Sequence, residues 1–541
     1  MQRRPLNSQT QRGHNFLPIP SSIAAPANIH ASNNMIFKIH PPIGIARVGN
    51  SPAKFFIGPE TPGSPGTEIQ TNGTEIPISR YKESGMLIKR QAARFRIFQF
   101  DNAGGQGQLA AFPPGTTIRW TVKLANKKDA VIRNATPQVE NPDQPQVPPL
   151  PQLKDGRQNR MISASGDAPL PGAPSTVLTG KYLSGTALER EVLLGELLAD
   201  QAGNLLVLGG HGKSESPEEM LIGNETHQNP DGSIVRGGGF YDNLGWHDDV
   251  SDGQVLAEIT LPGAAPVKAV SAWVVVAPPD FAPSTQGIVT LFDVMRQVAI
   301  DRQELNLPLQ PSFKRDIWPM LRRAAGLRWV NSKPHWLKFS TDWTRLSNTS
   351  ASEKPLRADN AKLLRQVEEQ EKLRNFHLRP WQKTYLQAWE DGNFSSDFDG
   401  TLPDAGVLSP DVLTRTVLDG GVAQGFFPGI EAGIIITNKS IYAEPFRIGP
   451  AVTPGDLTAL MALPWQADFL ECAGNWWPSQ RPDAAHQEDD PLNHVEDWSR
   501  PLDESTGHRS LVGDFARLGV ITPKTVGGSD VFVERDRDPN F

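Results

Sequence analysis

The sequence predicts an α+β protein. A β-rich N-terminal half packs against a mainly helical C-terminal half, with long ordered loops between elements. Three observations carry that reading. Short strand-like runs broken by Pro and Gly fill residues 36–286. Apolar residues recur at helical spacing from about residue 287 onward. Pro and Gly stand at 48 each in 541 residues, which favours turns and ordered loops over helical bundles. The expected divisions are a flexible leader at 1–34, a β-rich domain at 35–286 and a mainly helical domain at 287–541.

The leader is basic at its start and lacks the uninterrupted apolar stretch of about 7–15 residues that a secretory signal needs. Order is expected from "MIFKIHPPIGIARVGNSP", whose β-branched residues fit a strand ending at Pro41–Pro42. "RFRIFQF" and "TTIRWTVKLAN" read as further strands, and the Pro- and Gln-rich residues 136–160 as a long loop. Strand signals return at "NLLVLGG", "VLAEITLP" and "VKAVSAWVVVAPP". The last is an apolar run bounded by Pro, the pattern of a fully buried strand. "QGIVTLFDVMRQVAIDR" and "SEKPLRADNAKLLRQVEEQEKLRNF" follow a helical period, the second with a solvated charged face. "PWQKTYLQAWEDGNF" is a third helix, with Pro380 suited to its first turn. "PGDLTALMAL" and "PWQADFLECAG" are expected as two helical pieces split by Pro464, which ends one and opens the other.

Composition bounds the function. Hydrophobic residues make up 38% and mean hydropathy is −0.39, as in a soluble globular chain. A formal charge of −7 argues against a nucleic-acid or anionic-membrane partner. No run of about 18 apolar residues is present, so no membrane-spanning helix is expected. One cysteine excludes an intrachain disulfide. Without a signal-peptide pattern, a cytoplasmic location is expected, with non-conventional export left open.

Several familiar motifs fail. "VLGGHGKSES" would need Gly at 207 to be a phosphate loop and has Val207, so it reads as a Gly-rich turn after a strand. "GWHDDVSDGQV" gathers Asp248, Asp249 and Asp252 near His247, but lacks the twelve-residue calcium pattern with its closing Glu. It reads as a carboxylate-rich turn that satisfies its own backbone. The eleven histidines form no H-x-x-x-H pair, so no metal site is expected. Neither G-x-S-x-G nor a strand-borne G-x-G-x-x-G occurs.

The single cysteine, Cys472, stands in "PWQADFLECAGNWWPSQRPD". A lone cysteine is ordinarily a small buried apolar residue. Here a carboxylate precedes it by four positions. On a helix, Asp468 and Cys472 would share a face. A carboxylate disfavours the thiolate unless it takes up the proton, so the pairing suits a cysteine that must form a new bond. Trp476 and Trp477 follow, and adjacent tryptophans before a proline read as packing residues.

The chain resembles the LodA-like family of cysteine tryptophylquinone amino-acid oxidases, which includes lysine ε-oxidase and glycine oxidase. The resemblance runs from about residue 36 to 537 through "IHPPIGIARVGNSP", "FFIGPE", "LGGHGKS", "GWHDDVSDG", "WVVVAPPDFAP" and "PSFKRDIWPML". It continues with "FFPGIE", "EPFRIGP", "PGDLTALMALPWQADFLEC", "WWPSQRPD" and "RLGVI". It implies a cofactor built from the chain's own side chains, in which a Trp is oxygenated to an ortho-quinone and joined to a Cys sulfur. Cys472 matches that Cys, and Asp468 matches the Asp that assists formation and catalysis. The partner Trp lies beyond "WWPSQRPD" in the family, which points to Trp498. Relatives often carry another Trp three residues before a terminal Leu-Gly-Phe, where this chain has Phe515. His211 and Glu431 enter only as possible pocket residues.

The resemblance further implies oxidative deamination of an amino acid, at a lysine ε-amine or an α-amine. A Schiff base with the quinone would carry the reaction, giving a carbonyl product, ammonia and, with O₂ as oxidant, hydrogen peroxide. It implies a flavoprotein maturation partner encoded beside the oxidase, and a homo-oligomer is expected. Two other readings stand beside this one. One is a family member without a functional quinone, in a binding or biosynthetic accessory role. The other is a quinone enzyme with a different oxidation, such as hydroxylation.

Overall fold

The computed structural model describes residues 35–541 apart from 102–104, 133–137, 140–148, 185–187, 218–219, 224, 229, 237, 240–242, 244, 371–376, 423–425, 428–430, 433, 472–478, 501 and 503–506. The leader, Cys472, Trp476 and Trp477 therefore lie outside the described residues.

Pro41–Pro42 ends the strand Ile36–His40, and a second strand, Ile43–Arg47, follows at once. Ile43–Arg47 lies inside a fifteen-stranded sheet. The main path of that sheet runs Ile162–Asp167, Thr117–Asn126, Ser251–Thr260, Ala272–Ala277, Ile43–Arg47, Arg90–Phe100, Leu205–Gly209, Glu189–Ala199, Thr176–Leu183. Neighbours on this path are antiparallel except for Ile43–Arg47 beside Ala272–Ala277, paired from Ile43↔Trp273 to Arg47↔Ala277. All six residues of Ala272–Ala277 are buried, which is why that run carries no alternation of apolar and polar residues. The two end strands of the path meet. A Cβ at Gly180 would sit 2.6 Å from Ile162 Cγ2, so glycine permits the approach.

The later half supplies the helices Leu291–Asp301, Trp318–Gly326, Lys354–Gln370, Pro380–Glu390 and Pro410–Asp419. Leu291–Asp301 starts at Thr290, whose hydroxyl and amide exchange hydrogen bonds with Asp293 in a capping box. Lys354–Gln370 buries Ala361, Leu364 and Val367 along one face. A single apolar core joins the halves, taking in Val274 from the sheet, Leu291 and Trp389 from the helices, and Trp465 and Phe515 near the end.

Buried charges also tie the halves together. Arg47 pairs with Glu431 at 2.5 Å and donates to Gly420 O at 2.9 Å. Lys127 pairs with Asp456 at 2.6 Å. Arg447 donates to Ile39 O at 3.0 Å and Ser271 O at 2.6 Å. Among the described residues no helix is long and apolar enough to cross a membrane.

One expected helix is absent. Residues 454–460 of "PGDLTALMAL" form turns. Asp252, from the sheet, accepts hydrogen bonds from Thr458 N at 2.8 Å, Thr458 Oγ1 at 2.7 Å and Gly455 N at 3.2 Å. A helix would direct the Thr458 amide to Pro454 O, and the buried carboxylate captures it instead. The later half also contains strands, chiefly the hairpin Val520–Val526 with Ser529–Arg535. The expected loop at 136–160 holds a short pairing of Gln138–Val139 with Phe426–Phe427.

Candidate functional site

After Pro464 the chain makes a tight turn at Trp465–Ala467 and a short helix at Asp468–Glu471. Two motifs of the β-rich half hold this segment. From "GWHDD", Asp248 accepts Trp465 N at 3.0 Å, Asn126 Nδ2 at 2.8 Å and Lys128 Nζ at 2.7 Å. Lys128 also donates to Ala462 O at 2.9 Å, and its side chain and that of Asp248 are fully buried. These carboxylates therefore do not merely serve their own turn, because their donors come from distant segments. From "GGHGKS", Gly212 O accepts Gln466 Nε2 at 3.0 Å, and Ser214 Oγ donates to Gln466 Oε1 at 2.6 Å. Gly212 has φ +73°, and a Cβ there would lie 2.7 Å from Phe515 Cζ, so both backbone and space demand glycine.

Held in this way, Asp468 is 2% exposed. Burial pushes its carboxyl up to about 6, against the pull of the Arg481 and Lys128 charges. Arg481 Nε lies 3.8 Å from Asp468 Oδ1. Its guanidinium covers the Phe469 ring at 4.1 Å from the centroid. The rings continue outward. Phe469 stacks on Trp498 (6.0 Å, 23°), Phe281 meets Trp498 edge-on at 5.1 Å, and Trp465 meets Phe515 at 5.0 Å. Trp498 is 1% exposed and donates its indole Nε1–H to Gly519 O at 2.9 Å.

Among the described residues, four buried polar atoms in this cluster have no hydrogen-bond partner: Asp468 Oδ1, Arg481 Nε, Arg481 Nη2 and Trp465 Nε1. Such atoms are uncommon in a folded interior, and here three donors and one acceptor converge. They fit a group that carries oxygens to receive protons and a proton to give. Among the described residues no three His, Cys, Asp or Glu side chains gather as they would around a metal ion.

A cleft of about 340 Å³ has Asp280, whose carboxyl feels the Arg481 charge, on its walls together with Arg322, Arg323, Arg415 and Asp419. Asp280 is pushed up to about 6 by burial, and the charges of Arg47 and Arg481 oppose that rise. A roomier cavity of about 640 Å³ lies between Lys38, Arg296 and Phe446 and shares Asp404, Val412 and Arg415 with the cleft. Glu431 is buried and occupied by Arg47. His211 is half-buried, and burial followed by the charges of Arg90 and Lys213 lowers its pKa.

The comparisons with known proteins agree with this architecture. Residues 40–276 match the family model for the L-lysine ε-oxidase N-terminal region, and residues 362–492 match that for the L-lysine ε-oxidase C-terminal domain. The chain belongs to the LodA-like family. The L-lysine 6-oxidase of Marinomonas mediterranea is 25% identical over 548 aligned residues, which cover 81% of this LodA-like chain and 71% of that protein. A crystal structure of the L-Lys ε-oxidase from that organism has a TM-score of 0.70 at 20% identity, covering 93% of this chain and 95% of its own. A second, of the Schiff base intermediate of that enzyme with L-Lys, matches equally. At that identity the likeness establishes a shared fold, with a large sheet in the first part and a smaller helical part after it.

Of the site residues read from the LodA-like motifs, the structure thus brings Asp468 and Trp498 into one buried cluster, while Cys472 lies outside the described residues. Arg481, Lys128, Asp280 and Trp465 were not anticipated. Arg481 had a weak signal, as the one cation in "PWQADFLECAGNWWPSQRPD". Lys128 had none, because a lysine pair after a strand ordinarily faces water.

Proposed function

We propose that this chain is a quinoprotein oxidase that oxidatively deaminates an amino acid, with a cysteine tryptophylquinone made from Cys472 and Trp498. The observation that carries the reading is the buried Asp468, held at a pKa near neutrality within an aromatic cluster that includes Trp498. Family membership implies a quinone-type cofactor. That group, when formed, supplies a carbonyl electrophile and a two-electron sink.

The chain's own residues do the rest. Asp468 is the general base that takes the proton from the carbon bearing the amine. A carboxylate poised near 6 is ionised at neutral pH, yet basic enough to hold that proton in transfer. Phe469, Phe281 and Trp465 keep water from the ring. The mixed-sign cleft, lined by Asp280 and Asp419 as well as Arg322 and Arg415, suits a zwitterionic substrate. The net reaction converts the amine, O₂ and water into a carbonyl compound, ammonia and hydrogen peroxide. A flavoprotein encoded beside the gene serves in maturation.

Intact mass of the full chain, co-expressed with that flavoprotein, tests the reading. The mass should show two added oxygens, less the hydrogens displaced by quinone and thioether formation. A redox-cycling stain on a denaturing gel should be positive, and Cys472→Ala should abolish both signals. An unmodified wild-type mass would instead establish a family member without the quinone. That alternative has one observation in its favour: Phe515, not a tryptophan, occupies the place against Gly212 and Trp465.

A further inference from the structure

Arg481 is held on several sides and open along one edge. Nη1 donates to Pro279 O at 2.8 Å and to Gln480 O at 3.1 Å. One face lies on Phe469. The side chain has no exposure to water. What remains is the Nε–Nη2 edge, the one a carboxylate grips with both oxygens. Among the described residues, neither of its nitrogens has a hydrogen-bond partner. Asp468 Oδ1, which also lacks one, stands 3.8 Å from Nε. A matched donor edge and acceptor thus stand just beyond bonding distance in a dry interior.

We propose that Arg481 is a positioning residue for Asp468: the carboxylate closes onto the Nε–Nη2 edge when it loses its proton and moves away when it gains one. The inference rests on reading Asp468 as the base. Proton uptake from the substrate carbon neutralises Asp468 and loosens its hold on Arg481. Proton loss restores the pair. The other cation near Asp468 cannot serve in this way, since Lys128 is already engaged by Asp248 and Ala462. On its far side Arg481 faces Asp280, Glu431 and Arg47, of which the two acids favour its charge and Arg47 opposes it. Burial lowers the guanidinium's pKa and Arg47 adds to that, while Asp468, Asp280 and Glu431 oppose it; an arginine starts so far above the carboxyl range that it keeps its charge where Asp468 titrates.

The test is an infrared titration of the Asp468 carboxyl band in the full-length protein, isolated by subtraction of Asp468→Asn. In Arg481→Gln the midpoint should rise by about one pH unit or more, because a neighbouring charge of that kind lowers a carboxyl pKa by about 1–3 units. Arg481→Lys keeps the charge without the two-nitrogen edge and should fall between wild type and Arg481→Gln. The acid limb of kcat/KM should move in parallel. An unmoved midpoint in Arg481→Gln, or equal shifts in Gln and Lys, would overturn the proposal. If the Gln protein does not fold by near-ultraviolet circular dichroism, the Lys protein decides, and no rise there is fatal. The titration reads the carboxyl whether or not the quinone has formed. A missing quinone therefore defeats the oxidase reading alone.

Discussion

Asp249 lies behind the Gly-rich turn, 2% exposed, with Oδ2 accepting Lys213 N at 3.1 Å and Oδ1 without a partner. Burial, with the charge of Asp248 adding to it, pushes its carboxyl from 3.8 up to about 7. In the unfolded chain the same group ionises near 3.8. Below that pH both states are protonated, and the neutral carboxyl is no burden on the fold. As pH rises, the unfolded chain sheds its proton first, so stability falls until the folded carboxyl ionises near 7. Some three units at about 1.4 kcal/mol each give a loss on the order of 4 kcal/mol. Asp249→Asn does not titrate. Its stability relative to wild type should therefore climb by up to about 4 kcal/mol between pH 4 and pH 8. The other buried aspartates titrate in both proteins and cancel in the difference. Urea midpoints followed by tryptophan fluorescence at several pH values measure it. A difference that stays flat with pH, or falls, would refute the assignment of Asp249 as a carboxyl kept neutral by burial.

Two further expectations concern the neighbouring clasps. Lys128→Met should destabilise the protein by about 3–5 kcal/mol, since it strands the fully buried Asp248. Lys128→Met with Asp248→Asn should recover part of the loss in the same urea assay, and a double variant no more stable than the single one would argue against the pair. Trp498→Phe removes the hydrogen bond to Gly519 O, at about 1 kcal/mol, and should also leave the chain with its unmodified mass after co-expression. A modified mass in that variant would eliminate Trp498 as the quinone ring.

The strands bounded by proline or rich in β-branched residues were legible because burial and local propensity agree there, as in Ala272–Ala277. Thr176–Leu183 and Glu189–Ala199 were not recognised, because charged residues such as Glu189, Arg190 and Glu191 mask the alternation at one end. The final hairpin did carry a signal, Gly527–Gly528 between two β-branched runs, but the helical period upstream dominated the reading. In the site, Asp468 and Trp498 were named from motif order, and both are buried around Phe469. Arg481 and Lys128 were not, since their burial depends on partners 120 to 334 positions away in the chain. The same long-range contact undid the expected helix at 454–463, where a carboxylate 206 positions upstream outcompetes the local hydrogen bond.

The seat of Trp498 has a consequence for the order of events in the cell. Its indole N–H is fixed by Gly519 O, and its own carbonyl is gripped by the Arg537 guanidinium. Ile521 N bonds Phe281 O at 2.7 Å, and Phe281 is the ring that Trp498 meets edge-on. The housing of this tryptophan is thus complete only once the ribosome has delivered residues through Arg537. Chemistry on the Trp498 ring would therefore be a late event, deferred until the hairpin of Val520–Val526 with Ser529–Arg535 has formed and Arg537 has reached the Trp498 carbonyl.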